Sequence, residues 1–305
     1  MENTWRTAVF VVNGFLESGK TTFIKNAILM DPQLKEERIL IICCEEGEAE
    51  YDDLPDNVLV HYVDDKENLT ADVLKELDDD FDPTYVVAEY NGVWGMQHLY
   101  QTKIPMGWRV AGQFSVVDAE TFAFYFANMK GIFADMLRLS SRVYVNRCQR
   151  DSNFKLMKDS IKSCSPRTDI IYMNDEEGIM NVTLEEDLPY DINDPVIMIK
   201  DEDYLTWYID MTENPARYLG KTVMFSAQVG KPERFRNQYL LAGNMVITCC
   251  EDDKQFLGFV CRYERASSLK MGARMNLRCV VRFEEADEYG GNPGPVLYIK
   301  KAATI

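Results

Sequence analysis

Residues Gly14-Phe15-Leu16-Glu17-Ser18-Gly19-Lys20-Thr21 fit the spacing G-x-x-x-x-G-K-[ST], and their flanks restrict what the chain can become. The apolar run Ala8 to Val12 leads in as a buried strand, and Thr22 to Leu29 leads out as a helix. A glycine-bounded loop between a strand and a helix turns its backbone N–H groups inward, and the helix start adds partial positive charge. That combination suits phosphate. Gly14, Glu17, Ser18, Gly19 and Thr22 would line the cradle, Lys20 would reach the terminal phosphates, and the Thr21 hydroxyl would ligate Mg²⁺.

The rest of the first 175 residues agrees with such a start. Short apolar runs at Ile39–Cys44, Val58–Val63, Tyr85–Ala88, Val110–Val117, Arg142–Val145 and Asp169–Tyr172 read as buried strands. Helical stretches are expected at Thr21–Met30, Leu69–Leu77, Ala119–Asn128, Ile132–Leu139 and Asn153–Ser163. This alternation predicts an α/β fold with a mostly parallel sheet covered on both faces.

The texture changes near residue 185. An acidic stretch ends at Pro195, and Asp203 to Met211 reads as a short helix. Beyond it, Thr222–Gln228, Tyr239–Cys250, Phe256–Arg262, Met275–Phe283 and Val296–Lys300 read as strands. Glycine, proline and asparagine punctuate them, as in a small all-β barrel of the OB type. The expected organisation is therefore a nucleotide-binding domain over 1–185, a connector over 186–220 and a barrel over 221–305.

Charge follows the same division. The net charge is −17, yet residues 221–305 carry 13 Lys+Arg against 9 Asp+Glu, a net of +4. An acidic protein of this kind is not expected to coat nucleic acid or bind anionic membrane as a whole. The first residues lack a basic stretch followed by a long apolar one, and no apolar run is long enough to span a bilayer. Two of the cysteine pairs are adjacent, Cys43-Cys44 and Cys249-Cys250, and neighbours make poor staples. A reduced, cytoplasmic protein without direct membrane insertion is the expectation.

Five segments, in order, resemble the CobW/HypB/UreG family of P-loop GTPases, closest to its CobW-like metallochaperone branch. The phosphate loop is similar to that branch's G-F-L-G-S-G-K-T-T, with Glu17 in place of a glycine. Cys44-Glu45-Glu46-Gly47-Glu48 resembles its N-E-F-G-E, Glu89-Tyr90-Asn91-Gly92 its E-x-x-G, and Val116-Val117-Asp118-Ala119 its V-V-D-A. Asn146-Arg147-Cys148-Gln149 stands where that family reads guanine with N-K-x-D. The resemblance implies slow GTP hydrolysis, with Glu89 organising Mg²⁺ through water. Glu45 and Glu48 would lie in a switch segment, Gly92 would approach the γ-phosphate, and Arg147 would lie over the base. Two further departures bear on metal and base. No cysteine stands in Val63 to Leu69, where the branch carries C-x-C-C. Gln149 also replaces the carboxylate that accepts both guanine N–H groups, which leaves ATP beside GTP.

The tail resembles the C-terminal domain of a bacterial putative permease subunit family, through Asn214 to Lys221 and Val246 to Asp253. Cys43, Cys44, Glu45, Glu48 and His61 offer one candidate Zn²⁺ donor set, and Cys249 with Cys250 beside three acids another. Buried packing of the thiols is the competing reading. Three functions stay open: a nucleotide-switched GTPase of metal homeostasis with a metalloprotein client, a metal-free NTP switch or scaffold for a protein partner, and an ATP-using enzyme.

Overall fold

The computed structural model describes residues 5–45, 51–182, 188–247 and 254–304. The chain forms two compact units, Met1–Leu184 and Glu185–Ile305.

Unit 1 is built on strands β1 (Thr7–Gly14), β2 (Ile39–Cys43), β3 (Val58–Tyr62), β4 (Tyr85–Asn91), β5 (Trp108–Asp118), β6 (Arg142–Asn146), β7 (Asp169–Asn174) and β8 (Gly178–Ile179). They lie in the order β3-β2-β4-β1-β5-β6-β7-β8. The first seven run parallel, and β8 turns back antiparallel on β7. All seven expected strands are present. β2 is buried along its whole length, which its run of Ile and Leu dictates, because a strand covered on both faces has no use for alternation.

The helices are α1 (Lys20–Ile24), α2 (Ala71–Phe81), α3 (Met96–Gln101), α4 (Phe122–Asn128), α5 (Lys130–Leu137) and α6 (Phe154–Cys164). α1 runs on into one wider π turn, Lys25–Leu29. The Thr70 and Asn153 side chains cap α2 and α6 by accepting from Val73 N and Leu156 N. α3, flanked by Gly95 and ending at Thr102, is too short to leave a periodic signal and was not expected.

The chain moves outward from β1 to β2 and β3, returns to place β4 against β1, then crosses to β5 on the other side. The carboxyl ends of β1, β4 and β5 therefore frame the point where strand order reverses, the usual position of a ligand crevice in an open α/β sheet.

Unit 2 holds β9 (Ile197–Met198), α7 (Tyr204–Glu213), β10 (Thr222–Gly230), β11 (Tyr239–Ile247), β12 (Lys254–Arg262), β13 (Arg274–Glu285) and β14 (Pro293–Thr304). Its sheet order is β11-β12-β14-β13-β10-β9, and β11 also pairs with β10. β12 and β14 are parallel neighbours, while β13 is antiparallel to both β10 and β14. β10 and most of β13 alternate buried and open positions, as strands with one covered face do. Tyr204, Trp207, Tyr208 and Met211 of α7 share one core with Phe225, Phe259, Leu277 and Leu297 of the strands. Among the described residues, no helix is long and apolar enough to cross a membrane.

Candidate functional site

The loop after β1 turns tightly over the end of the sheet, and its glycines are required by contact. A Cβ on Gly14 would stand 2.4 Å from the Val116 carbonyl oxygen and 2.5 Å from Ser18 Oγ. A Cβ on Gly19 would stand 2.4 Å from Asn146 Nδ2, and Gly19 has φ +89°. Glu17 also lies in the left-handed region, at φ 58°. A side chain there costs about 1–2 kcal/mol, a strain that a glycine would not carry.

Lys20 is only 1% exposed. Its Nζ donates to Phe15 O at 2.7 Å and Gly14 O at 3.3 Å, and meets Glu45 Oε1 at 2.8 Å. The lysine is therefore folded into the loop and paired. Burial raises the Glu45 carboxyl above its ordinary range, against the pull of Lys20.

Glu89 lies two residues before the end of β4, in register with Val12 on one side and Cys43 on the other. It is fully buried. Its Oε1 accepts from Thr21 Oγ1 at 2.6 Å, and its Oε2 accepts from Tyr51 OH at 2.6 Å. The first residue of the E-x-x-G segment and the last of the phosphate loop thus touch. Tyr51 was not foreseen: its signal is a single hydrogen bond across 38 positions of sequence. Gly92 lies beside the loop, where a Cβ would come 3.1 Å from Gly14 O and 2.0 Å from Met136 Sδ.

At the end of β6, Asn146 Nδ2 donates to Ser18 O at 2.7 Å, and Nη1 of the next residue, Arg147, donates to Glu17 O at 3.1 Å. Arg147 also pairs with Asp118 Oδ2 at 2.5 Å. The phosphate loop is therefore tied from two sides, by the ends of β4 and β6. Ser18 Oγ, Glu45 Oε2 and Asn146 Oδ1 are buried without a partner among the described residues. Buried polar atoms ordinarily find partners, so three orphans around one loop mark a place built to receive polar groups.

Two cavities meet there. One, of about 370 Å3, is lined by Glu17, Gly19, Lys20, Thr21, Thr22, Glu45, Asp118 and Arg147. The other, of about 800 Å3, shares Gly19, Thr22 and Arg147 with it and adds Asn146, Asn174 and Asp175. Gln149 lines neither of them and is exposed. The chain turns at Arg147, φ 52°, and Gln149 begins a turn closed by Ser152. The carboxylate that does line the larger cavity is Asp175, which sequence reasoning missed. It stands 26 positions beyond Gln149 in the loop after β7, and Asn174 Nδ2 ties that loop to Cys148 O at 2.7 Å.

For Mg²⁺ the donor set fits: a hydroxyl and a buried carboxylate, both oxygen, side by side at the loop end. For zinc, the described residues contain no group of three or more His, Cys, Asp and Glu placed to hold an ion. Cys43 Sγ donates to Glu45 O at 3.3 Å and approaches Glu89 Oε2 at 3.6 Å. Burial and the nearby Glu89 push the Cys43 thiol up to about 12. Burial raises Cys44 further, with Cys43 contributing. Both side chains are buried in the core, as packed thiols are. Glu48, Cys249 and Cys250 lie outside the described residues.

Residues 176–305 match a family model described as the DUF1980 C-terminal domain. No curated protein matches the chain. Among solved structures, it is similar to the Zn(II)-bound YjiA GTPase from E. coli, at 15% identity over 83% of this chain and 94% of that one, TM-score 0.46. It is also similar to the hydrogenase maturation factor HypB from Archaeoglobus fulgidus, at 17% identity over 57% and 83%, TM-score 0.41. FlhF complexed with GMPPNP and Mg²⁺ follows at 15% identity over 59% and 74%, TM-score 0.39. All three are less than a quarter identical to the chain, and the chemistry of the site rests on its own residues.

Proposed function

We propose that unit 1 binds a purine nucleoside triphosphate, GTP in preference to ATP, and hydrolyses it slowly as a switch in metal homeostasis. The observation that carries this reading is the contact between Thr21 and Glu89 at the carboxyl ends of β1 and β4, beside a buried Lys20 in a glycine-bounded loop.

The residues divide the work as follows. The loop N–H groups and Lys20 hold the phosphates, and Lys20 must exchange Glu45 and the loop carbonyls for phosphate oxygens. Thr21 and Glu89 would hold Mg²⁺, Glu89 through water, and the ion would neutralise charge developing on the phosphates. Tyr51 fixes the outer oxygen of Glu89, which leaves the inner one directed at Thr21. Asn146 and Arg147 hold the loop at the base end. Release of Glu45 from Lys20 gives the segment after β2 a reason to respond to nucleotide, as switch segments do.

The burial of Cys43 and Cys44 in the core favours a second reading, in which the switch acts on a protein client and carries no zinc in unit 1. Unit 2 we read as a small OB-like barrel of the kind appended in putative permease subunits. The cycle of pairings through β10, β11, β12, β14 and β13, with β12 and β14 parallel, supports the barrel. The working division remains 1–185, 186–220 and 221–305, with α7 contributing core to the strands that follow it.

Glu89→Gln tests the carrying observation. Binding of labelled GTP should persist, while single-turnover hydrolysis falls at least about a hundredfold, because the substitution alters the ion and water rather than the cradle. Hydrolysis at the wild-type rate would remove Glu89 from the site.

A further inference from the structure

Unit 2 carries a row of alternating tyrosines and arginines across four strands. Tyr239 of β11 pairs in register with Arg262 of β12, and Arg262 pairs with Tyr298 of β14. Arg236 lies over the Tyr239 ring at 4.3 Å, and Arg262 lies 5.9 Å from that ring and 5.4 Å from the Tyr298 ring. Arg282 of β13 completes the row, 4.4 Å over Tyr298. Each ring thus sits between two guanidinium groups.

One end of the row is satisfied. Arg236 forks onto Glu288, with Nε and Nη2 at 2.9 and 2.8 Å from its two oxygens. The other end is open. A cavity of about 430 Å3 is lined by Arg262, Arg265, Arg282 and Lys300 with Tyr298. Among the described residues, none of these four cations has a carboxylate within ion-pair distance. Glu264 is the one acid in the lining, and it is exposed. The nearby Glu284 is engaged by the Tyr298 hydroxyl, at 2.8 Å. Four like charges around one concavity repel each other, and Glu284 lies near enough to attract Arg262 but not to pair with it.

We propose that this cavity is a second anion site, independent of the phosphate loop, and that its ligand is a phosphoanion with at least two adjacent phosphoryl groups. The tyrosines point to the ligand class. Arg236 and Arg282 already lie over them, at 4.3 and 4.4 Å, which leaves less ring face for stacked bases. What the tyrosines do is hold the guanidinium groups in place: Arg282 lies over the Tyr298 ring, and Arg262 donates Nη1 to the Tyr298 hydroxyl at 3.2 Å. Arginine edges fixed in this way match phosphoryl oxygens two at a time. Four cations call for more charge than one carboxylate or one phosphate monoester brings. The diphosphate unit has two sources, free inorganic oligophosphate or a nucleotide.

Calorimetric titration of the full chain with inorganic diphosphate and tripolyphosphate tests the proposal, with GDP and ADP as the arms that separate the sources. Two sites should be seen. Lys20→Ala should remove one and leave the other. Arg262→Gln with Arg282→Gln should weaken the second about tenfold or more, also in the Lys20→Ala background, so that failure of either site is read separately. Arg265→Gln with Lys300→Gln, both exposed and outside the row, should weaken binding with no change in melting temperature. Affinity at this site should fall as salt rises. Unchanged diphosphate affinity in both double variants would overturn the proposal. So would tighter binding of poly-glutamate or of a single-stranded oligonucleotide than of tripolyphosphate at these arginines.

Discussion

Each unit buries a carboxylate against a long cation, and the two pairs are completed differently. In unit 2 both oxygens of Glu288 are taken by Arg236, with the Arg236 backbone N–H adding a third bond at 3.4 Å. Burial pulls this carboxyl upward, but the Arg236 side chain and the surrounding N–H groups outweigh it and hold it below its usual range. In unit 1 Lys20 takes one oxygen of Glu45 and leaves the other without a partner among the described residues. There burial wins, and the carboxyl stays above its usual range. A closed pair is a staple, since every donor and acceptor is matched. An open pair is a holding arrangement, in which a cation needed elsewhere is kept desolvated and within reach.

The comparison breaks most visibly under two substitutions. Lys20→Ala should reduce affinity for labelled GTP about a hundredfold or more, because two charge-assisted contacts go with it. Its effect on melting should be modest, because Glu45 can take up a proton once its partner is gone. Arg236→Ala should do the reverse. It strands a carboxylate that is 1% exposed, a change that costs about 3 kcal/mol in buried pairs, and it should leave GTP affinity unchanged. Arg236 itself is half-exposed, so solvent reduces that figure. Equal melting losses in the two variants would erase the distinction between staple and holding pair.

A smaller effect sharpens the reading of the larger unit 1 cavity. Asp175→Asn should move base preference from GTP toward XTP by about tenfold, since an amide presents a donor where the carboxylate accepts. Gln149→Ala should leave the ratio of GTP to ATP affinity as it was. If Gln149→Ala changes that ratio and Asp175→Asn does not, Gln149 reads the base in the bound state and Asp175 does not.

Proton linkage gives the smallest effect. Glu45, raised in the folded state, contributes stability that is fully present below its unfolded pKa and is lost as pH rises through its folded one. Glu288, lowered in the folded state, contributes stability present above its unfolded pKa and lost as pH falls through its folded one. Acidification from neutral should therefore strengthen the first contribution and weaken the second. Thermal melts of Glu45→Gln and Glu288→Gln beside the wild type, across pH 7 to about 4, should differ from it by slopes of opposite sign.

Much of this architecture was legible in the sequence. Seven parallel strands leave seven apolar runs, clearest in β2, which is buried on both faces and needs little but Ile and Leu. The phosphate loop was legible because its glycines answer to contacts with Val116 and Asn146 that no side chain permits. What escaped was set by distance along the chain. Tyr51 reaches Glu89, and Lys20 reaches Glu45, through single contacts that no spacing encodes. Gln149 follows Asn146 closely enough to suggest a shared role, yet the turn at Arg147 carries it into solvent. The Tyr–Arg row was hidden for the same reason: its members stand on four strands and meet only through register.

The fit around Gly92 has a mechanical consequence. With no Cβ at that position, the Met136 thioether of α5 rests directly on the chain leaving β4. Four residues on, Met96 N donates to Asp135 Oδ2 of the same helix at 2.9 Å. The segment after Glu89 is thus pinned to α5 at two adjacent points, one by contact and one by a hydrogen bond. A displacement of residues 92–96 would have to break both points or carry α5 with it.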